Sequence, residues 1–272
     1  MPIEQIVLLA IIQGLTEFLP VSSSGHLILL PAFSGWTDQG IVTDVMVHMG
    51  SLFAVIVYFW RDVLRIISGS FELLRGKWSE NSRLAFYIAI GTIPAIVFGL
   101  ALKTLGLTSA LRSVELIAWN AIIFGALMLV ADRFGRQEKA MADLNLKQVV
   151  IIGVAQALAL IPGTSRSGVT MTAARSMGFE RTEAARFSFL LGIPAIAAAG
   201  GLTTLELVQS GQSVPWDAVY AATLTFISAL IAIAFLMRLV GRIGLMPFAI
   251  YRFALAALLF AYVYGWLPGL NS

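Results

Sequence analysis

The apolar residues of this chain fall into long blocks separated by short polar stretches. Six of the blocks are long enough to cross a bilayer: about 41–60, 84–106, 114–131, 187–208, 216–237 and 246–266. A hydrocarbon core of roughly 30 Å needs about 20 apolar residues in a helix, so each block predicts one transmembrane span. Two more apolar regions, 3–33 and 148–174, are broken by Pro20, Pro162, glycines and serine clusters. Irregular backbone at membrane depth is stable only where protein or a water-filled cavity surrounds it. These regions are therefore expected to form two re-entrant helix-loop-helix hairpins. The fold class predicted is an all-α polytopic membrane protein with six transmembrane helices plus the two hairpins.

Composition agrees with that class and excludes a soluble globule. Of 272 residues, 58% are hydrophobic and 12% charged, and the mean hydropathy is +0.87. The net charge of +3 matters less than where the basic residues lie, and no nucleic-acid signature is present. Most of the 18 Lys and Arg residues fall in four stretches: Arg61 to Arg83, Arg133 to Lys147, Arg175 to Arg186, and Arg238 with Arg242. By the positive-inside rule these four loops are cytoplasmic. Lys103 and Arg112 are left in one outer loop, none in the other at 209–215, and Arg252 in PFAIYRF is expected to snorkel to the cytoplasmic interface.

Threading six spans through those loops puts both termini outside. The first hairpin then enters from the outer face and the second from the cytoplasmic face. Residues 1–131 and 148–266 become inverted halves of a single domain, 1–272, joined by the charged cytoplasmic linker 132–147. In inverted repeats with broken helices the site lies where the repeats meet. The start, MPIEQIVLLAII, lacks a basic n-region and a small-residue cleavage site, so it reads as mature fold rather than signal peptide. Without cysteine there are no disulfides, thiolate metal sites or cysteine nucleophiles.

The two hairpins also repeat one polar pattern, QGLTEFLPVSSSGH at 13–26 and QALALIPGTSRSG at 156–168. Gln13, Leu15, Ser22, Ser24 and Gly25 recur 143 positions later as Gln156, Leu158, Ser165, Ser167 and Gly168. Ionisable residues at membrane depth are costly and usually functional, which singles out Glu17, His26 and Arg166. Gln13 and Glu17, four apart, share a helix face, and Pro20 ends that helix before Ser22, Ser23, Ser24, Gly25 and His26. The first loop thus offers three hydroxyls and an imidazole. The second offers Thr164, Ser165, Arg166, Ser167 and Thr170.

A guanidinium stays charged and matches phosphate or carboxylate oxygens with two parallel bonds, and loops that enter helices add backbone N–H donors. Arg166 therefore points to an anionic group, best a phosphate, with the serines as phosphate contacts or nucleophiles. Glu17 is suited to hold a divalent cation, orient a hydroxyl or accept a proton, and His26 to act as an acid or phosphate donor. Plainer roles compete with these. Serines and glycines in membrane helices serve close packing, Arg166 fits a buried ion pair with Glu17, Gln13 and Gln156 fit hydrogen-bond braces, and His48 fits a structural donor near the hairpins.

Other chemistries fall away. PGTSRSG lacks the lysine of a P-loop, and no strand-turn-helix context exists for a serine-hydrolase elbow. The SGH at 24–26 matches one motif of the type-2 phosphatidic acid phosphatases, but no histidine follows Arg166. A secondary transporter or flippase of an anionic lipid remains the rival class, since an inverted repeat is equally the anatomy of alternating access.

The chain resembles the undecaprenyl-pyrophosphate phosphatases of the bacterial cytoplasmic membrane, also called bacitracin-resistance proteins. Their (E/Q)xxxE segment running into PVSS(S/T)GH appears here as Gln13 to His26, their PGxSRSxxT segment as Pro162 to Thr170, and PFAIYR at 247–252 resembles their last helix. The resemblance implies hydrolysis of the terminal phosphate of undecaprenyl pyrophosphate, recycling the lipid carrier for cell-wall synthesis with Mg²⁺ or Ca²⁺. It further implies Glu17, His26 and Arg166 as the main polar positions, Ser23 as nucleophile, Glu17 as metal ligand, and Ser165, Ser167 and Thr170 as phosphate contacts beside Ser22 and Ser24. Gln13 stands where other members carry glutamate, and His48 where some carry glutamine; both are secondary contacts. The expected partners are the polyprenyl lipid and membrane lipids, with a site open to the outer face and homo-oligomerisation left open.

Overall fold

The computed structural model describes residues 1–36, 39–107, 111, 113–209 and 214–266; the side chains of 24, 28, 31–33 and 206–208 lie outside that description. Ser24, a candidate phosphate contact, is among those side chains, as are Arg112 and part of the 209–215 loop among the wholly undescribed residues. The described chain forms eleven α-helices and one 3-10 turn at Met141–Asp143. The helices are α1 (Ile3–Phe18), α2 (Ser23–Ser34), α3 (Gly40–Tyr58), α4 (Trp60–Leu74), α5 (Glu80–Thr104), α6 (Val114–Phe134), α7 (Leu146–Leu158), α8 (Arg166–Ser176), α9 (Arg181–Gln209), α10 (Trp216–Ile243) and α11 (Met246–Val263).

Six of these, α3, α5, α6, α9, α10 and α11, are long and apolar enough to cross a membrane. They coincide with the six blocks read from the sequence, and the protein is a multi-pass membrane protein. Long α3 and α10 pack against each other, as do α6 and α11; α1 lies on α10 and α7 on α5. Small residues permit these approaches. A Cβ on Gly153 of α7 would lie 2.6 Å from the Gly91 carbonyl oxygen of α5, so α5 and α7 touch backbone to backbone.

Where the sequence breaks its apolar blocks, the chain turns back. α1 ends at Phe18, just before Pro20, and α2 starts at Ser23; α7 ends at Leu158 before Pro162, and α8 starts at Arg166. The residue ahead of the second helix is a serine in both loops, at equivalent positions of the repeat, and both have positive φ: 78° at Ser22 and 70° at Ser165. Such a conformation costs a non-glycine residue about 1–3 kcal/mol. Each serine recovers part of this as a cap, accepting the N–H of Gly25 (3.4 Å) or Gly168 (3.2 Å) on its hydroxyl, worth about 1 kcal/mol. Glycine at the third helical position leaves room for the cap, since a Cβ on Gly168 would approach the Ser165 Cβ and Oγ to 3.1 Å. This accounts physically for the shared SxxG of the two motifs.

Three sequence expectations are corrected by tertiary packing. The stretch 61–83 is not simply a loop, because residues 60–74 form α4, which packs across the start of α5. Its polar side is tied down by Asp62, which accepts from Arg186 Nε (3.0 Å) and Nη2 (2.6 Å), and by Arg65 Nε donating to Asn81 (3.0 Å). Arg175, Arg181 and Arg186 are not loop charges either. Arg175 is fully buried, and Arg181 and Arg186 belong to the first turns of α9. Arg186 is held by Asp62, and the shared organiser of Arg175 and Arg181 is Asp132 near the end of α6. Its Oδ1 accepts from Arg175 Nε (3.2 Å) and Arg181 Nε (2.7 Å), and its Oδ2 from Arg181 Nη2 (3.0 Å) and the Leu245 N–H (2.9 Å). Arg175 spends its remaining donors on the carbonyls of Asp132, Gly135, Arg136 and Phe179. One carboxylate thus joins α6, α8, α9 and the turn into α11.

The third correction is Arg252. Instead of snorkelling to an interface it is 1% exposed and donates to the carbonyls of Gly163 (2.8 Å), Thr164 (2.9 Å), Asn120 (3.0 Å) and Ala121 (3.3 Å). The turn before α8 leaves the Gly163 and Thr164 carbonyls without helical partners, and the fixed N–H groups of one planar head satisfy them while also reaching the Asn120 and Ala121 carbonyls inside α6. Arg252 therefore pins the Gly163–Thr164 turn to α6.

Candidate active site

Between α1–α2, α3, α7–α8 and α9 lies a cavity of about 400 Å³. Its polar end is formed by Glu17, Ser22, Ser23, His48, Ser165 and Arg166, and its apolar wall by Ile41 and Val45 of α3 with Ala195, Ile196 and Ala199 of α9. Residues from both polar motifs thus face one space.

Glu17, buried on the last turn of α1, is the hub. Its Oε2 accepts from the Ser23 hydroxyl (2.8 Å) and from Gln13 Nε2 (3.2 Å), while Oε1 accepts from Arg166 Nη2 (3.3 Å). The ion pair weighed for Arg166 is present, bridging the two loops. Gln13 also reaches Ser51 of α3 (3.5 Å), and Gln156 donates to the Gly91 carbonyl (3.5 Å), as expected of braces. Arg166 Nη1 donates to the Ser188 carbonyl (3.2 Å), whereas its Nε is buried with no partner. The guanidinium lies over Gly192 of α9, where a Cβ would overlap it. An arginine held flat, with a donor to spare beside the cavity, is suited to an incoming anion.

The two histidines are placed differently from the emphasis given them by sequence. His26 does not line the cavity. Its Nδ1 lies 2.7 Å from the Ser22 carbonyl and its Nε2 2.6 Å from the Tyr251 hydroxyl, with the two rings stacked. A carbonyl can only accept, so Nδ1 carries the proton and Nε2 accepts from Tyr251. His48 does face the cavity. Its Nδ1–H donates to the Asp44 carbonyl (2.7 Å), leaving Nε2 turned to Glu17 Oε2 at 3.8 Å.

The other candidates divide likewise. Ser22, Ser23 and Ser165 line the cavity. Ser167 is fully buried and donates to the Leu19 carbonyl (3.2 Å), tying one loop to the other, and its hydroxyl lies 3.3 Å from that of Ser165. Thr170 bonds the Arg166 carbonyl (2.7 Å) and the Ser188 hydroxyl (2.6 Å), fixing α8 to α9. Sequence reading missed Asp44, Ser188, Gly192 and Tyr251. Only Gly192 carried a signal, as a glycine inside an apolar span; the rest are ordinary polar residues until the helices bring them together.

For a divalent cation the cavity offers oxygen donors but no dense acidic cluster. Among the described residues no three His, Asp or Glu side chains gather to hold a metal. Glu17 and the Gln13 Oε1, which is buried without a partner, are hard oxygen donors of the kind Mg²⁺ or Ca²⁺ takes. Such a partial protein shell suits an ion that keeps its waters and binds mainly through substrate phosphates.

A family model for the bacitracin resistance protein BacA matches residues 6–258. The chain belongs to this family. Similar proteins called undecaprenyl-diphosphatase occur in Teredinibacter turnerae (48% identical, 96% of this chain and 99% of the relative), Ruegeria pomeroyi (47%, 97% and 100%) and Erythrobacter litoralis (46%, 95% and 98%). Both hairpin motifs, and so the whole cavity, fall inside the part of the chain shared with this family.

Proposed function

We propose that this chain is an undecaprenyl-diphosphatase acting at the cavity shared by the two loops. It removes the terminal phosphate of undecaprenyl pyrophosphate and returns the lipid carrier to cell-wall synthesis. The observation that carries the reading is the convergence on Glu17 of Ser23 from its own loop and Arg166 from the repeat-related one. The family and its full-length relatives favour this over a transporter or flippase.

In this reading the pyrophosphate enters the polar end, and its anionic oxygens take the free Nε–H and the fork of Arg166. The tail lies along the apolar wall. Ser23 Oγ bonds the terminal phosphorus as the bond from that phosphorus to the bridging oxygen breaks, and the Ser23 proton passes to Glu17 Oε2. Undecaprenyl phosphate leaves with the bridging electron pair. Water then attacks the phosphoserine, Glu17 returns its proton to the departing Ser23 Oγ, and inorganic phosphate is released. Because phosphoryl transfer depends mainly on positioning and charge stabilisation, Ser22, Ser165, His48 and the backbone N–H groups of α2 and α8 act as contacts. Ser167, Thr170 and Gln13 hold the loops, and His26, locked by Tyr251, orders the start of α2. Glu17 and Gln13 Oε1 are the residues that would hold a divalent cation, which would supply neutralisation of the pyrophosphate charge.

Phosphate release from undecaprenyl pyrophosphate by the purified protein in detergent tests this. Wild type is expected to turn over with Mg²⁺ and to stop on chelation. Ser23→Ala is expected to fall on the order of 10³-fold or more. Absence of release by wild type overturns the phosphatase, whereas persistence in Ser23→Ala, with no phosphoserine trapped at Ser23, replaces the serine by a water held on Glu17.

The finer architecture belongs to the same proposal. The α1–α2 and α7–α8 pairs are re-entrant hairpins of opposite orientation. Halves 1–131 and 148–266 form an inverted repeat within one domain, joined by a cytoplasmic linker, in the bacterial cytoplasmic membrane with both termini outside. The matched loop geometry at Ser22 and Ser165 supports this, as does the reciprocal packing of α1 on α10 and α7 on α5. The cavity wall reaches Ile41 at the start of α3 and Thr203 late in α9, ends that the charge pattern assigns to the outer face. A reporter enzyme fused to the C terminus is expected to be active outside the cytoplasm; cytoplasmic activity overturns the topology.

A further inference from the structure

α4 is the helix that the activity does not use. With 15 residues it is about 22 Å long at 1.5 Å per residue, too short and too charged for a span. It nevertheless carries a narrow apolar stripe, Trp60, Leu64, Ile67, Phe71 and Leu74, at alternating spacings of four and three that keep all five on one face. The stripe points away from the protein, with exposure running from 48% at Ile67 to 83% at Leu74. The opposite face is fastened inward through Asp62 to Arg186, and through Gly69, whose missing side chain lets α4 lie against the Asn81 backbone. The face turned outward is therefore set by interior contacts.

Charge decides what covers the stripe. Arg61 and Arg75 flank it at the two ends of the helix, Lys77 follows, and all three are exposed; the Arg61 guanidinium sits 5.2 Å above the Trp60 ring. Apolar side chains on one face, a basic edge beside them and an aromatic ring at the boundary are what an interfacial helix needs to sink into a bilayer surface of anionic headgroups. We infer that α4 is a membrane-surface anchor that binds anionic phospholipid through Arg61, Arg75 and Lys77, with the Trp60–Leu74 stripe in the acyl boundary. Only Phe59 separates α4 from α3, so this anchor fixes the end of the helix that presents His48 and Ser51 to the site. The inference does not depend on the reaction catalysed.

The chain has no cysteine, which allows single-cysteine labelling of the full-length protein in vesicles. A bimane label at Phe71→Cys, with Leu74→Cys as the second stripe position and Ser68→Cys on the polar flank, is read by quenching from nitroxide-labelled phosphatidylglycerol or phosphatidylcholine. Both stripe labels are expected to be quenched severalfold more than the flank label, and more by phosphatidylglycerol than by phosphatidylcholine. Replacing Arg61, Arg75 and Lys77 by glutamine is expected to lower that headgroup preference by about fivefold per charge removed. Equal quenching of stripe and flank, or a preference that survives loss of the three charges, overturns the inference. So does a stripe shielded from both lipids whose label reports a second protein copy and is freed on dilution.

Discussion

Arg166→Lys is expected to lower phosphate release by about 10²–10³-fold, the usual cost of removing an aligned donor from a charge-stabilising site. Lysine keeps the positive charge opposite Glu17, so the carboxylate is not left buried and unpaired. What it cannot keep is the planar fork that reaches Glu17 Oε1 and the Ser188 carbonyl together and carries a third, unpartnered donor at Nε. The flat seat over Gly192 fits a guanidinium, not a rotating ammonium. The measurement is turnover at saturating substrate alongside thermal unfolding in the same detergent. A large fall in turnover with little change in unfolding is the expected pattern, and near-normal turnover removes the anion clamp from the mechanism.

The largest effect on stability is expected at Asp132, far from the chemistry. Asp132→Ala leaves Arg175 buried with one charge partner fewer and frees Arg181 from its bidentate pair, and it strands the Leu245 N–H. Breaking a buried pair from one side costs about 3–5 kcal/mol. The contrasting case is Glu138→Ala. Its partner Arg136 lies 3.9 Å away with both side chains mostly exposed, a contact worth about 1 kcal/mol at most. Unfolding in detergent is expected to separate the two variants clearly. Equal behaviour would mean that the Asp132 junction does not hold the helix ends together.

The elements that sequence made legible are those governed by local rules. An apolar run of spanning length must be helical in a bilayer because its backbone has no other hydrogen-bond partner, which is why the six spans appear where hydropathy marks them. Pro20 and Pro162 break the two remaining blocks for a reason equally local, and the recurrence of Ser22 and Gly25 as Ser165 and Gly168 reports a loop in which a strained serine needs a following glycine for room. The convergence of Glu17 and Arg166 is of another kind. They are 149 positions apart in the chain, and only the packing of α1, α8 and α9 closes that distance.

Charge placement shows the limit most directly. Arg61, Arg75, Arg175 and Arg252 are the same residue, yet two stay exposed at the ends of α4, one is buried around Asp132 and one is buried among four carbonyls. A guanidinium is stable in any of these settings provided its donors are met, so its fate depends on which acceptors distant helices deliver. The same holds for His26 and His48, whose roles near the cavity are set by the Tyr251 hydroxyl and by Glu17. Sequence alone determined the six spans, the two breaks and the pair of related loops, because these follow from backbone hydrogen bonding and local sterics. Tertiary structure decided which polar groups meet, because in a medium without water each must find its partner within the protein.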